Sequence, residues 1–468
     1  MTANGRMPER ADLPPAGSRV HLMGVGGAGM RGLAVLLSAS GYRVSGCDSA
    51  PPAAADDLEG RSIGVETGHD PRHVEDVELL IHSSAVPDEQ PELRAGRDAS
   101  VPTMKRARAL GALLNDFRLV GISGTHGKTT ITAMTARVCD AAGLDPTVVV
   151  GGRIPEWSAY ARPGAGEVAV VEADEFDRSL LQLDPSLAVV SSVEPEHLDS
   201  YGSLEALVET YGTFAARAAN RDGVLVCADD AGAMGIGTAL GSFVSYGFAE
   251  HATYRVSVLE REGRTQRCAL RSPAAEFEFL LGVPGDHNAQ NAAAAMAIGL
   301  ILGGDVARMA GALADFHGVD RRLQLLVESG GLTIIDDYAH HPTEVMASLE
   351  SVRHSRPDAR LVAVFQPHLF SRTQLMAREF ATALTAADQA LVLPIYPARE
   401  APLPGVTSAL IVEAAAEGVR LASPDEALEA VRNAVNQDDA SIVFMGAGDV
   451  TRLAHRAADE VTSDAVGD

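Results

Sequence analysis

The sequence predicts three α/β domains built on mainly parallel sheets, and three observations point there. The chain has 468 residues, about three times the ~150 residues typical of one domain. Apolar runs alternate with helix-like runs and with glycine or acidic turns, the rhythm of strand–helix–strand units. Aromatic residues make up only 4% of the chain, so the layers must pack through Ala, Val and Leu.

In chain order, Arg19–Met23 reads as a strand running into Gly24-Val25-Gly26-Gly27-Ala28-Gly29. A helix over 30–40 and a strand over 42–48 complete a βαβ unit. Leu79–His82 is a further strand, ending in a polar turn with Ser83 and Ser84. A second unit opens with the strand Arg118–Ser123, a glycine-rich loop over 124–130 and a helix over 129–142. Strands over 168–171 and 187–191 run into Glu172-Ala173-Asp174-Glu175-Phe176-Asp177 and Glu194-Pro195-Glu196-His197. An alanine-rich helix is expected after 287–291. The third unit has strands over 332–337, 361–365, 390–393 and 441–445. The expected domains are 19–117, Rossmann-like; 118–328, a parallel sheet like that of P-loop ATPases; and 329–468, Rossmann-like again. Residues 1–18 read as a frayed start and the last ten as a solvated tail.

A net charge of −25 argues against a nucleic-acid partner, which needs a basic footprint. It leaves room for small phosphorylated ligands, which need only a local positive site. Cys47, Cys139, Cys227 and Cys268 lie far apart with no C-x-x-C pair, which argues against a disulfide framework or structural zinc and suits a reducing compartment. The start has no apolar signal-peptide core, and the longest apolar stretch, 292–302, is too short to span a bilayer. A cytoplasmic protein without a membrane partner is expected, as monomer or homodimer.

The loop Gly124-Thr125-His126-Gly127-Lys128-Thr129-Thr130 follows a strand and opens a helix, the setting in which backbone N–H groups hold phosphate. Lys128 adds charge and a Thr hydroxyl can reach Mg²⁺. Only Lys105 and Lys128 are lysines in the whole chain, so a lysine in this loop stands out. Ile122 occupies the place of the first glycine in the usual phosphate-loop pattern, which makes this a shorter form. Glu172 and His197, at neighbouring strand ends, offer oxygen and imidazole donors for metal; a solvated acidic loop is the plainer alternative. Gly24, Gly26 and Gly29 fit a dinucleotide fingerprint with Asp48 at the next strand end, although any pyrophosphate would suit such a turn. His340, His341, His368 and Arg372 follow strand ends of the third unit, where an Arg could clamp a carboxylate.

These motifs, with His287-Asn288, Asn291, Arg321-Arg322 and Asp336-Asp337-Tyr338-Ala339-His340-His341-Pro342-Thr343-Glu344, match in order and spacing. From about His21 to Val450 the chain resembles the Mur ligases, their alanine-adding branch in particular. The resemblance implies that UDP-N-acetylmuramate binds the first domain through Gly24, Gly26, Gly27, Ala28, Gly29, Met30, Asp48, Ser83 and Ser84. ATP would lie on the central loop, with His287, Asn291 and Arg322 beside it and Mg²⁺ on Thr129, Glu172 and His197. The third domain would act as a lid, with Tyr338, His340, His341, His368 and Arg372 placing the sugar and L-alanine. Lys128, Glu172, His197, His341 and Arg372 would be catalytic. Two runs depart from the family's usual wording, at Phe176 and at Ser192 with Glu196. The alternatives are a ligase that recycles a murein tripeptide onto the same sugar nucleotide, and an NAD-dependent oxidoreductase.

Overall fold

The computed structural model describes residues 7, 9–50, 56–196, 198–398, 400–415, 417–435 and 439–466. Three sheets follow one another along the chain. The first contains β1 (Arg19–Met23), β2 (Arg43–Asp48), β3 (Gly64–Thr67), β4 (Leu79–His82) and β5 (Thr103–Lys105), in the order β3-β2-β1-β4-β5. Every pairing in it is parallel. The apolar residues of β1 and β4 are almost wholly buried, as expected of strands covered on both faces. The order turns between β1 and β4, and ligand sites of open α/β sheets lie outside the strand ends at such a switch.

The second sheet contains β6 (Arg118–Ser123), β7 (Thr147–Ile154), β8 (Ala159–Arg162), β9 (Val168–Glu172), β10 (Leu187–Val190), β11 (Gly223–Cys227), β12 (Val244–Gly247), β13 (Tyr254–Glu262), β14 (Thr265–Arg271) and β15 (Glu276–Leu281). Its order is β15-β14-β13-β12-β11-β10-β6-β9-β7-β8. β6 lies between β9 and β10 and is parallel to both, so their carboxyl ends share one edge. The helix Lys128–Ala141 buries residues around most of its circumference, which explains its run of Ala, Thr, Val and Met.

The third sheet contains β16 (Gln324–Ser329), β17 (Leu332–Asp337), β18 (Arg360–Phe365), β19 (Gln389–Val392), β20 (Val419–Leu421) and β21 (Ala440–Met445), ordered β16-β17-β21-β18-β19-β20. All its pairings are parallel except the antiparallel β16–β17. The chain forms two compact units: residues 1–257, 268–280 and 290–316, which hold the first sheet and most of the second, and 258–267, 281–289 and 317–468, which hold the third.

The three-domain α/β architecture is as expected, with local corrections. β16 belongs to the third sheet although it precedes the expected boundary at 329, because it completes the edge beside β17. The alanine-rich helix starts at Asp286 and so contains His287 and Asn291 instead of following them. Most of the expected ten-residue tail continues the helix Val450–Val466 as its outer end; Val450, Ala454 and Ala457, which precede that tail, recur at helical spacing and pack into the core. The expected frayed start is partly anchored: Leu13 is buried and the Tyr42 hydroxyl donates to Pro14 O at 2.9 Å. No helix among the described residues is long and apolar enough to cross a membrane.

Candidate active site

Between Ser123 at the end of β6 and the helix beginning at Lys128, the chain must reverse within a few residues. Gly124 and Gly127 make this possible by adopting φ of +123° and +81°, a region costly for other residues. A Cβ on Gly124 would collide with Ser191, and one on Gly127 would lie 2.7 Å from Asn291 Oδ1. The loop is latched to the end of β10. Thr125 N–H donates to Ser192 O at 2.9 Å, His126 N–H to Ser192 Oγ at 2.9 Å, and Glu194 N–H to Thr125 Oγ1 at 2.9 Å. Ser192, a departure from the family wording, thus serves the loop directly.

Lys128 Nζ donates to Gly124 O at 2.6 Å, Thr125 O at 3.1 Å and Glu175 Oε1 at 3.0 Å. Burial works against its charge, but Glu175, Glu172 and Asp174 outweigh that and hold Lys128 above its ordinary range. Burial pushes Glu175 up to about 7, and Lys128 draws it back only in part. Thr129 Oγ1 donates to Glu172 Oε1 at 3.0 Å, and Gly151 N–H donates to Glu172 Oε2 at 2.6 Å. A hydroxyl and a carboxylate meet at the mouth of the loop, a pair of hard oxygen donors suited to Mg²⁺. Thr130 is buried beneath. His197, the expected third donor, lies outside the described residues.

At the first sheet, Gly24 and Val25 N–H donate to Cys47 O at 2.8 and 3.1 Å, and Gly26 N–H to Asp48 Oδ2 at 2.9 Å. A Cβ on Gly26 would lie 2.9 Å from that carboxylate, so glycine is needed there. Ser83 N–H donates to Met23 O at 3.1 Å, which sets β4's end beside the turn. The helix Ala28–Ala39 begins at Gly27 with no side chain capping it, leaving its first N–H groups suited to an anion. Gly29 faces Arg106, whose Nη1 would be 2.9 Å from an added Cβ. Met30 is 2% exposed and its N–H is bonded to Gly27 O, so it supports the turn from the core. Ser84 Oγ and Lys105 Nζ both donate to Asp177 Oδ2, at 2.9 and 2.6 Å.

The second unit gathers other candidates. The His340 ring meets Tyr338 and His368 edge-on at 5.2 and 5.9 Å, and His368 stacks on Tyr396 at 5.9 Å. Arg372 Nη1 donates to His340 O at 3.4 Å, and Arg322 lies over the Tyr338 ring at 5.2 Å. His340 Nδ1 is 3.1 Å from Glu344. His341 is different: 5% exposed, it is the N-cap of the helix Pro342–Ser355, accepting from Thr343 N–H. Asp337 is buried, accepts N–H groups of Leu323 and Ala339 at 2.7 Å each, and is pushed by burial to about 6. Burial pushes His287 down to about 4, so its ring is neutral.

The sequence reading missed Glu175, Arg106 and Tyr396 as site residues. Glu175 lay in the acidic run that was read for metal. Tyr396 follows the end of β19, where the strand-end rule could have found it. Arg106 carried no local signal, because only the β4–β5 crossover brings it to Gly29.

Family models describe three successive stretches of the chain: "Mur ligase family, catalytic domain" over 19–118, "Mur ligase middle domain" over 122–299 and "Mur ligase, glutamate ligase domain" over 321–448. The chain is 40% identical over 461 residues to the UDP-N-acetylmuramate--L-alanine ligase of Streptomyces griseus, covering 96% of this chain and 99% of that one. It is 39% identical to the ligase of the same name from Chlorobium phaeovibrioides, covering 94% and 97%. Among solved structures it is similar to the UDP-N-acetylmuramate-alanine ligase MurC of Thermotoga maritima, with TM-score 0.81 and 27% identity over 95% of this chain and 99% of that one. A murein peptide ligase from Psychrobacter arcticus shares the fold, with TM-score 0.66 and 20% identity over 95% and 98%. The short phosphate loop, its Thr129–Glu172 pair and these likenesses along nearly the whole chain have one meaning: the chain belongs to the Mur ligase family.

Proposed function

We propose that the chain is an ATP-dependent ligase joining L-alanine to the lactyl carboxylate of UDP-N-acetylmuramate through an acyl phosphate. The observation that carries this reading is the glycine loop holding Lys128 and Thr129 against Glu175 and Glu172 at the shared edge of β6 and β9. The relatives' names supply the substrates.

In the first step a lactyl carboxylate oxygen bonds to the γ-phosphorus of ATP while the bridging P–O bond breaks and ADP leaves. In the second, the alanine nitrogen bonds to the acyl carbon, the C–O bond to phosphate breaks, and the amine gives a proton to solvent. Lys128 exchanges Gly124 O and Thr125 O for phosphate oxygens and offsets their charge. Thr129, Glu172 and His197 would hold Mg²⁺, which when bound neutralises charge on the transferring phosphoryl group. Gly24, Gly26, Gly27, Ala28 and Gly29, with Arg106, suit the UDP pyrophosphate, and Asp48 fixes their turn. Asn291, His287 and Arg322 are assigned to the nucleotide, and Tyr338, His340, His368 and Arg372 to the sugar and the amino acid. We place the domain boundaries near residues 118 and 329, the second moved ahead of β16 because that strand pairs with β17. We read the enzyme as cytoplasmic and acting on small molecules without a nucleic-acid partner, given its net charge of −25.

Phosphate release from ATP, measured with UDP-N-acetylmuramate and each acceptor in turn, tests the reading. Release with L-alanine supports it. Release only with a murein tripeptide would replace it by the recycling reaction, and silence with every acceptor would remove both.

A further inference from the structure

In the first domain, four side chains converge on one carboxylate. Glu92, at the start of the helix Pro91–Asp98, is fully buried. His21 Nε2 from β1 stands 3.0 Å from its Oε1, His73 Nδ1 3.4 Å from the same atom, and His69 Nδ1 3.4 Å from Oε2. Cys47 Sγ from β2 lies 3.3 and 3.4 Å from the two oxygens. Donor atoms of His21, Cys47, His73 and Glu92 all lie within 4.8 Å of one another. Ligands 2.0–2.3 Å from a tetrahedral zinc ion stand about 3.3–3.8 Å apart, close to these separations.

The hydrogen bonding around the cluster singles out a cation. His21 Nδ1 is 2.8 Å from Ser45 Oγ, and His73 Nε2 is 3.1 Å from Glu66 Oε2. If each imidazole gives its proton to that outer oxygen, as metal-bound histidines do, both inner nitrogens present lone pairs. His21 Nε2 and His73 Nδ1 are indeed buried and make no hydrogen bond, despite their closeness to Glu92. The Cys47 thiol donates to Glu92, but two nitrogen lone pairs turned toward a buried carboxylate repel it, and a positive ion among the four groups, with the thiol proton released, would relieve that repulsion. The mix of imidazole, thiol and carboxylate suits a borderline transition metal and not Mg²⁺.

We propose that His21, Cys47, His73 and Glu92 form a tetrahedral Zn²⁺-class metal site in the first domain, separate from the Thr129–Glu172 pair. Its position gives it a structural consequence for the substrate turn. Cys47 O receives the N–H groups of Gly24 and Val25, and the next residue, Asp48, holds Gly26. An ion on Cys47 Sγ therefore fixes the strand end from which the glycine turn hangs. The C-x-x-C rule could not find the site, since its ligands include one cysteine and come from four segments.

The test uses the full chain and does not depend on ligase activity. Chelator-treated protein is titrated with Zn²⁺ against a chromogenic chelator, and separately with Co²⁺ while the near-ultraviolet thiolate–cobalt band is followed. One Zn²⁺ per chain, a thiolate–cobalt band, and loss of the band in Cys47→Ser with at least ~10-fold weaker Zn²⁺ binding in His73→Asn are expected. Circular dichroism of both variants checks that they fold. A folded wild-type chain that retains no Zn²⁺ and shows no band overturns the proposal, as does equal binding by wild type and both variants. If the variants fail to fold, the wild-type stoichiometry and band alone decide.

Discussion

At the second sheet's edge, Lys128 is stretched between two loop carbonyls and a buried Glu175, and Thr129 points at Glu172. At the third sheet's edge, His341 caps a helix and Asp337 collects two backbone N–H groups. Both edges place polar residues just past strand ends, yet the first holds charges whose partners a phosphate and a cation could replace, while at the second His341 and Asp337 also carry backbone N–H groups of the fold. A conspicuous residue type past a strand end is thus a candidate site, and whether a ligand could replace its present partners separates chemistry from architecture.

The contrast can be broken most decisively at Lys128. Lys128→Ala should lower kcat by about 10³-fold or more, the scale of losing a group that stabilises transition-state charge, while UDP-sugar binding, followed by calorimetry, persists. Loss of that binding as well would mean the two sites are not separate. Glu172→Gln should raise the Mg²⁺ concentration for half-maximal turnover by at least ~10-fold, since even residues behind a metal ligand cost that much. An unchanged Mg²⁺ dependence would take Glu172 out of the metal site.

The third-sheet edge should show itself in stability. Asp337 is raised from 3.8 to about 6, so between those values the native state holds a proton that the unfolded chain has lost. Stability therefore falls as pH rises through that window, by about 3 kcal/mol at 1.36 kcal/mol per unit. Asp337→Asn removes the titration, so its deficit relative to wild type in thermal melts should be smaller at pH 7.5 than at pH 4; a pH-independent deficit would contradict this. The smallest effect is expected at His341. His341→Ala should cost about 1 kcal/mol, and His341→Asn, which can still cap, should keep most of it. A large loss of turnover in a fully stable Asn variant would instead return His341 to the chemistry and make the two edges alike.

Much was legible in the chain itself. The strands Arg19–Met23, Leu79–His82 and Arg118–Ser123 occur where the apolar runs predicted them, because buried parallel strands are local apolar runs ended by turns. Lys128, Thr129 and Glu172 were readable because a loop between a strand and a helix carries its function in consecutive residues. The outer end of the helix Val450–Val466 reads as tail because its residues are small and acidic, while the Val450, Ala454 and Ala457 that anchor it lie earlier in the chain.

The sequence by itself determined three α/β domains, a nucleotide loop and its family, since each depends on residues adjacent in the chain or repeated at a fixed period. The tertiary structure alone decided that Glu175 holds Lys128, that Arg106 faces Gly29, that His341 is a cap, and that His21, Cys47, His73 and Glu92 share one point. Apart from the His341 cap, which is local to the start of its helix, those pairings join residues tens of positions apart, and no local pattern carries them. They exist because sheet order and crossovers bring particular strand ends together.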